Sequence, residues 1–247
     1  MNAARLMWAH ARVATLDLLR SPGYVVPTIV FPAMFFAIFA LPAARRNATI
    51  ADYSTLSFMA WAIAGVTLYQ FGVGIAAERG RPWERFLRIL PASTFVRLSA
   101  RIACALTFGI LAAGCVAIVA LLATPINLSL TAWSMAALYC AIGGVPFVLI
   151  GITIGYWCAV RAAVPIATAC NLLLAYAGGL WMPPSELPAI VQRISPALPT
   201  RQFGELLWSV VARDNVAGAL LGLVVYTTVF GTLASIGYRR DEQRRYA

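Results

Sequence analysis

Residues 102–160 contain no Asp, Glu, Lys, Arg or His. A soluble domain does not stay uncharged for that long, because its surface has to offer ionisable groups to water. Two passes through a bilayer, at roughly 20 residues each, do so naturally. The whole chain agrees with this reading. Only 11% of its residues are charged and 61% are hydrophobic, whereas a soluble domain carries about a quarter charged. The chain is therefore expected to be an all-α polytopic membrane protein.

Apolar runs place six expected spans at about 24–42, 53–77, 102–123, 132–157, 163–182 and 215–237. Together they make a transmembrane domain over 24–237, preceded by a cytoplasmic segment 1–23 and followed by a cytoplasmic tail 238–247. A signal peptide is the competing reading of the first run, since arginines precede it and Leu41-Pro42-Ala43-Ala44 follows. Its apolar stretch is longer than an ordinary signal core, which favours a retained span. With the N-terminus inside, fourteen of the nineteen arginines fall on the cytoplasmic side and five outside. Cytoplasmic arginine excess sets the expected topology as N-in, C-in.

All nineteen basic residues are arginine. The phosphate-binding motif GxxxxGK[ST] needs a lysine, so it is excluded, and any ATP driving this chain is hydrolysed by another polypeptide. Cys104, Cys115, Cys140, Cys158 and Cys170 all lie in or beside apolar runs without CxxC spacing or a nearby histidine. They read as small buried thiols, and no metal site is expected. The span centres hold no acid or base; their polar groups are neutral. Tyr69, Gln70, Asn171 and Tyr176 are the candidates for lining a pathway. Proton-coupled transporters and pumps usually bury an ionisable group at mid-membrane, so ion coupling is disfavoured. Gly151-x-x-x-Gly155 and Gly218-x-x-x-Gly222 allow close helix approach.

Three connecting segments carry further information. In 2–20, Arg5, His10, Arg12, Asp17 and Arg20 share one half of a helix and Ala3, Met7, Trp8, Ala11, Ala14 and Leu18 the other, the pattern of an interfacial helix. In 78–91, Trp83, Phe86, Leu87 and Leu90 follow the i, i+3, i+4, i+7 pattern between Pro82 and Pro91, with Arg81, Glu84, Arg85 and Arg88 on another face. Headgroups could cover that aromatic face; a groove on a partner protein fits it better. In 183–214, one apolar stripe (Leu187, Ile190, Val191, Ile194) and a second (Leu206, Leu207, Val210, Val211) are separated by Pro196 and Pro199. Two short external helices dipping into the outer leaflet, or capping a cavity between subunits, are expected there.

In this layout the chain resembles the membrane subunits of type-2 ABC exporters, the group that includes daunorubicin-type drug exporters and Nod-factor or polysaccharide exporters. The resemblance covers essentially the whole chain. One block is Glu78-Arg79-Gly80, Trp83-Glu84, Leu87 and Leu90-Pro91-Ala92-Ser93 after the second span. The other runs from Gly178-Gly179-Leu180-Trp181-Met182-Pro183 through Leu187-Pro188 and Ile194-Ser195-Pro196 to Pro199. The family usually has one or two more residues between the acidic start of the first block and its glycine.

The resemblance implies a division of labour. A separate cytoplasmic ATPase, holding ATP and Mg, would bind the coupling helix formed by Glu78, Arg79, Gly80, Trp83, Glu84, Phe86, Leu87, Arg88, Leu90 and Pro91. Two permease copies, identical or paralogous, would form the pathway in the bacterial inner membrane. No cofactor is expected in this chain, and no nucleic acid. The cargo would be a small hydrophobic or amphipathic compound, drug-like or lipid-like, with a lipid-linked glycan as the alternative. An ion-coupled secondary transporter is the rival class. An intramembrane enzyme is a weaker rival, because His10, Glu186, Glu205 and Asp214 are too scattered to make a catalytic group.

Overall fold

The computed structural model describes residues 12, 15, 16, 19–79 and 94–246, and every element assigned among them is helical. Most of the expected interfacial helix and the coupling positions Gly80, Trp83, Glu84, Phe86, Leu87, Arg88, Leu90 and Pro91 lie outside the described residues.

Helix α2 (Ala48–Arg79) is the centre of the bundle. It has no polar stripe, so no orientation puts one face in water and another in a core. The bundle surrounds it instead: 78% of its most apolar stretch is buried, against 22% for α5 (Val160–Ala177) and 17% for α8 (Ala217–Tyr246). Asn47 starts it by accepting the Thr49 and Ile50 N–H groups on Oδ1 at 2.8 and 3.2 Å. Inside, the Thr55 and Thr67 hydroxyls donate to carbonyls one turn back, so these buried polar groups need no outside partner. Between Leu68 and Val73 the helix widens into a π-helical stretch.

Around it stand α3 (Thr94–Ala123), α4 (Leu130–Trp157), α5 and α8. Among the described residues, these four and α2 are the five helices long and apolar enough to cross a membrane. The first passage, α1, is built differently. It alternates α-helical and π-helical pieces, Pro22–Val25, Val26–Val30, Phe31–Phe35, Phe36–Ala40 and Leu41–Ala44, and its apolar stretch Thr28–Ala44 is shorter than the others. Pro27, Pro32 and Pro42 each lack the N–H that a regular helix would use. Side-chain pairings give the directions. Phe36 meets Phe58, and Phe35 meets Trp61; Gly109 meets Ile63, and the Asn127 N–H reaches Asp52. Gly65 meets Asn171, and Tyr69 meets Thr168. Thus α1, α3 and α5 run against α2, while α4 runs with it and α8 runs with α4.

Glycines set how closely α4 approaches α2. A Cβ at Gly144 would lie 3.1 Å from Ile63, at Gly151 2.9 Å from the Thr67 carbonyl oxygen, and at Gly155 2.7 Å from the Ile75 Cβ. Backbone lies on backbone along this seam, the packing expected where lipid outside gives no hydrophobic drive between helices. In the other glycine pair, Gly222 packs on the Gln202 side chain, but Gly218 has open space around it.

The segment after α5 forms two helices, α6 (Ala189–Ile194) and α7 (Pro199–Ala212). Helix α6 has no buried residue and leaves Ile190 and Ile194 exposed; α7 is placed differently. Helix α7 does not lie out on a leaflet: Phe203, Leu206 and Leu207 are fully enclosed, and Phe203 fills the notch left by Gly143 of α4, where a Cβ would come within 2.1 Å of the ring. The apolar stripe was legible, but not the glycine notch that takes its ring. Helix α5 ends at Ala177, and 178–182, which the sequence pattern assigns to the fifth span, is turn.

The glycine seam yields a sign-reversed pair of outcomes. Gly155→Ala should destabilise the chain by about 1–3 kcal/mol through overpacking. Gly114→Ala, on α3 with nothing within 4 Å of the new Cβ, should stabilise it by up to about 1 kcal/mol through helix propensity. Thermal unfolding in one detergent compares the two.

Candidate functional site

The seam between α2 and α5 gathers two of the four pathway candidates. Along α5 the buried residues are Ala163, Ala167, Asn171 and Ala175, a stripe four residues apart that faces the bundle. Small side chains let α5 lie close to α2, and Asn171 is the one polar interruption. Its amide nitrogen would be 3.1 Å from a Cβ on Gly65, so the glycine makes the room for it. One turn away, the Tyr69 hydroxyl and Thr168 Oγ1 are 2.5 Å apart, each able to donate. Gln70 is buried next to Tyr69 in the π-helical stretch. Tyr176 lies farther along α5, half-buried, its ring 6.5 Å from that of Trp181.

Sequence reasoning missed the aromatic cluster at the end of this seam away from Arg79. Phe35 of α1, Trp61 of α2 and Trp181 after α5 make mutual ring contacts at 5.1–5.4 Å. Trp61 sits one turn from Gly65 on the same face of α2. The Trp61 and Trp181 indole nitrogens and Asn171 Oδ1 are buried with no hydrogen-bond partner among the described residues. Such groups are uncommon in a folded interior. Trp181 lay inside a recognised motif, but nothing in the spacing tied it to Trp61.

The second sequence block closes this seam on the side away from Arg79. Gly179 has φ +77 and follows the end of α5; the Leu180 N–H bonds the Ala175 carbonyl at 3.0 Å and the Gly179 N–H bonds that of Tyr176 at 3.0 Å. This is the left-handed helix stop that favours glycine. Gly178 is required for a different reason: a Cβ there would lie 2.3 Å from Thr200 Oγ1, and Thr200 donates to the Leu174 carbonyl. Pro183 precedes the short turn Pro184–Glu186, and Leu187 is buried. Pro188 precedes α6, Pro196 lies in the turn Ser195–Ala197, and Pro199 opens α7. Trp208 of α7 donates to Ser57 Oγ at 2.7 Å, tying this segment to α2.

At the opposite end, Glu78 and Arg79 are the described members of the coupling motif. The Arg79 guanidinium reaches Asp241 of α8 and backbone carbonyls of α4.

The hydroxyl pair gives a direct check. Tyr69→Phe and Thr168→Val should each cost about 1 kcal/mol. The double variant should cost no more than the larger single loss, and a double-mutant cycle on thermal stability reads the coupling.

No family model matches the chain, and no solved structure matches it. It is 26% identical over 230 residues to "Putative transport permease YvfS" of Bacillus subtilis (strain 168), a match spanning 91% of this chain and 94% of that protein. By its membrane-length helices and this end-to-end similarity, the chain is a multi-pass membrane protein similar to a transport permease.

Proposed function

We propose that this chain is the membrane-spanning subunit of an ATP-driven, type-2 ABC exporter in the bacterial cytoplasmic membrane. It crosses six times, with α1 as the first span and both ends inside, and works as a dimer with a second permease copy. ATP and Mg are held by a separate ATPase that grips the 78–91 segment. The observation that carries this reading is the similarity to a transport permease along nearly the whole chain. The absence of lysine, which excludes a GxxxxGK[ST] motif here, supports a separate motor chain.

The cargo we assign is a small, uncharged or weakly charged amphipathic compound. Tyr69 and Asn171 give the α2–α5 seam neutral donors and acceptors within apolar surroundings, which suits a molecule entering from lipid. Between Asp52 and Glu78 of α2, and beyond Arg161 in α5, there is no fixed charge to favour an ionic cargo.

The test uses inside-out vesicles holding the chain together with the ATPase that co-purifies with it, and a panel of fluorescent amphipathic dyes. Dye accumulation that requires hydrolysable ATP and survives a protonophore is expected. Uptake driven by a proton or sodium gradient without ATP would replace this reading with an ion-coupled one; movement of a lipid-linked glycan but of no dye would change the cargo. Trp83→Ala combined with Leu87→Ala should lose the ATPase on purification, and unchanged retention would remove the coupling assignment.

A further inference from the structure

Arg79 ends the last described stretch of α2, Gly74–Arg79, and reaches two other helices at once, α4 and α8. Its Nη1 donates to the Gly155 and Tyr156 carbonyls at 2.7 and 2.8 Å. These are among the last carbonyls of α4, which have no partner within their own helix, so α4 is capped from α2. A cation at a helix C-terminus also meets the negative end of the helix dipole. Arg79 Nε donates to Asp241 Oδ1 of α8 at 2.8 Å, with the two side chains 24% and 13% exposed, and the guanidinium lies 5.7 Å over the Tyr156 ring. The helix ends are pressed together around it: a Cβ on Gly155 would lie 2.7 Å from Ile75, and one on Gly237 2.6 Å from Trp157 Nε1. Lysine could not replace this arrangement, since it has a single charged nitrogen in place of a planar fork that reaches two directions.

We propose that Arg79 is a positioning residue that binds the ends of α2, α4 and α8 into one moving body. A displacement applied where α2 leaves the bundle then reaches all three helices. What applies it, the partner ATPase, rests on the reading in the preceding subsection; the three-helix clamp does not.

Two measurements test the proposal. Hydrogen exchange on the full chain in lipid nanodiscs reads the clamp. In Arg79→Gln, amides at the ends of both α4 (150–158) and α8 (233–241) should exchange roughly tenfold faster or more. Asp241→Asn should loosen the α8 end and leave the α4 end protected, and Arg79→Lys should fall between. An unchanged α4 end in Arg79→Gln, or equal loosening of α3 and α5, would overturn the clamp. The second measurement is transport per ATP hydrolysed, with the co-purifying ATPase present. Asp241→Asn, outside the 78–91 segment that the ATPase grips, should keep the ATPase bound and hydrolysing while the ratio drops roughly threefold or more. An unchanged ratio overturns the transmitting role. No ATP-driven transport by the unaltered protein would instead sink the exporter reading, and exchange alone would then decide the clamp.

Discussion

The enclosure of α2 is the constraint on which the rest of the structure depends. A helix apolar all round is covered by lipid or by protein; protein covers α2, and α1, α3, α4 and α5 are placed by how they meet it, while α8 packs on α4 and α7. Helix α4 comes closest, because glycine at 144, 151 and 155 removes the side chains that would hold it off. Helix α5 follows through its four-residue stripe of alanine and Asn171, and α1 through phenylalanine rings. The outward residues of α5 and α8 are large and apolar, among them Val164, Leu173, Leu221 and Val225. They need no polar partner where lipid is the solvent.

The two ends of the bundle are fastened by different chemistry. On one side the chain folds back on itself: a glycine-terminated helix, a short proline-punctuated turn and then α7, whose Phe203 occupies the space opposite Gly143. Those contacts are largely apolar or made through backbone. On the other side a single guanidinium gathers the ends of three helices. That side also carries Arg161, Arg239 and Arg240, with Arg240 stacked 4.7 Å over the Trp157 ring.

How much of this was legible follows from the range of each signal. Charge-free stretches announce membrane helices because lipid excludes charge; they give α4 nearly end to end, whereas α3 begins at Thr94 and runs through Arg97 and Arg101 before the expected start at 102. The pair Gly151 and Gly155 was visible because small residues four apart form a local pattern; Gly143, which receives Phe203, has no such pattern to give it away. Gly178 and Gly179 stood out as a motif, yet their two reasons, a crowding threonine and a positive φ, appear only once α7 is in place. The π-helical stretch Leu68–Val73 leaves no mark in the periodicity of so apolar a run. Arg79 and Asp241 are 162 residues apart, and no spacing rule joins positions so distant. The aromatic face of 80–91 lies outside the described residues, so its role stays a proposal.

The broken course of α1 bears on what it can do. A regular helix resists bending because each turn is tied to the next by an N–H that proline does not have. With Pro27, Pro32 and Pro42 in its path and two π-helical pieces between, α1 is the most pliant rod of the set. It lies against α2 through Phe35 and Phe36 on Phe58 and Trp61. Ring contacts of this kind tolerate a change of tilt better than hydrogen bonds do, since each is worth only about 0.5–1.5 kcal/mol beyond area burial and has broad geometric limits. The glycine-seated pair α2 and α4 thus has beside it a neighbour with the most interrupted backbone ladder, held to α2 by rings rather than by hydrogen bonds.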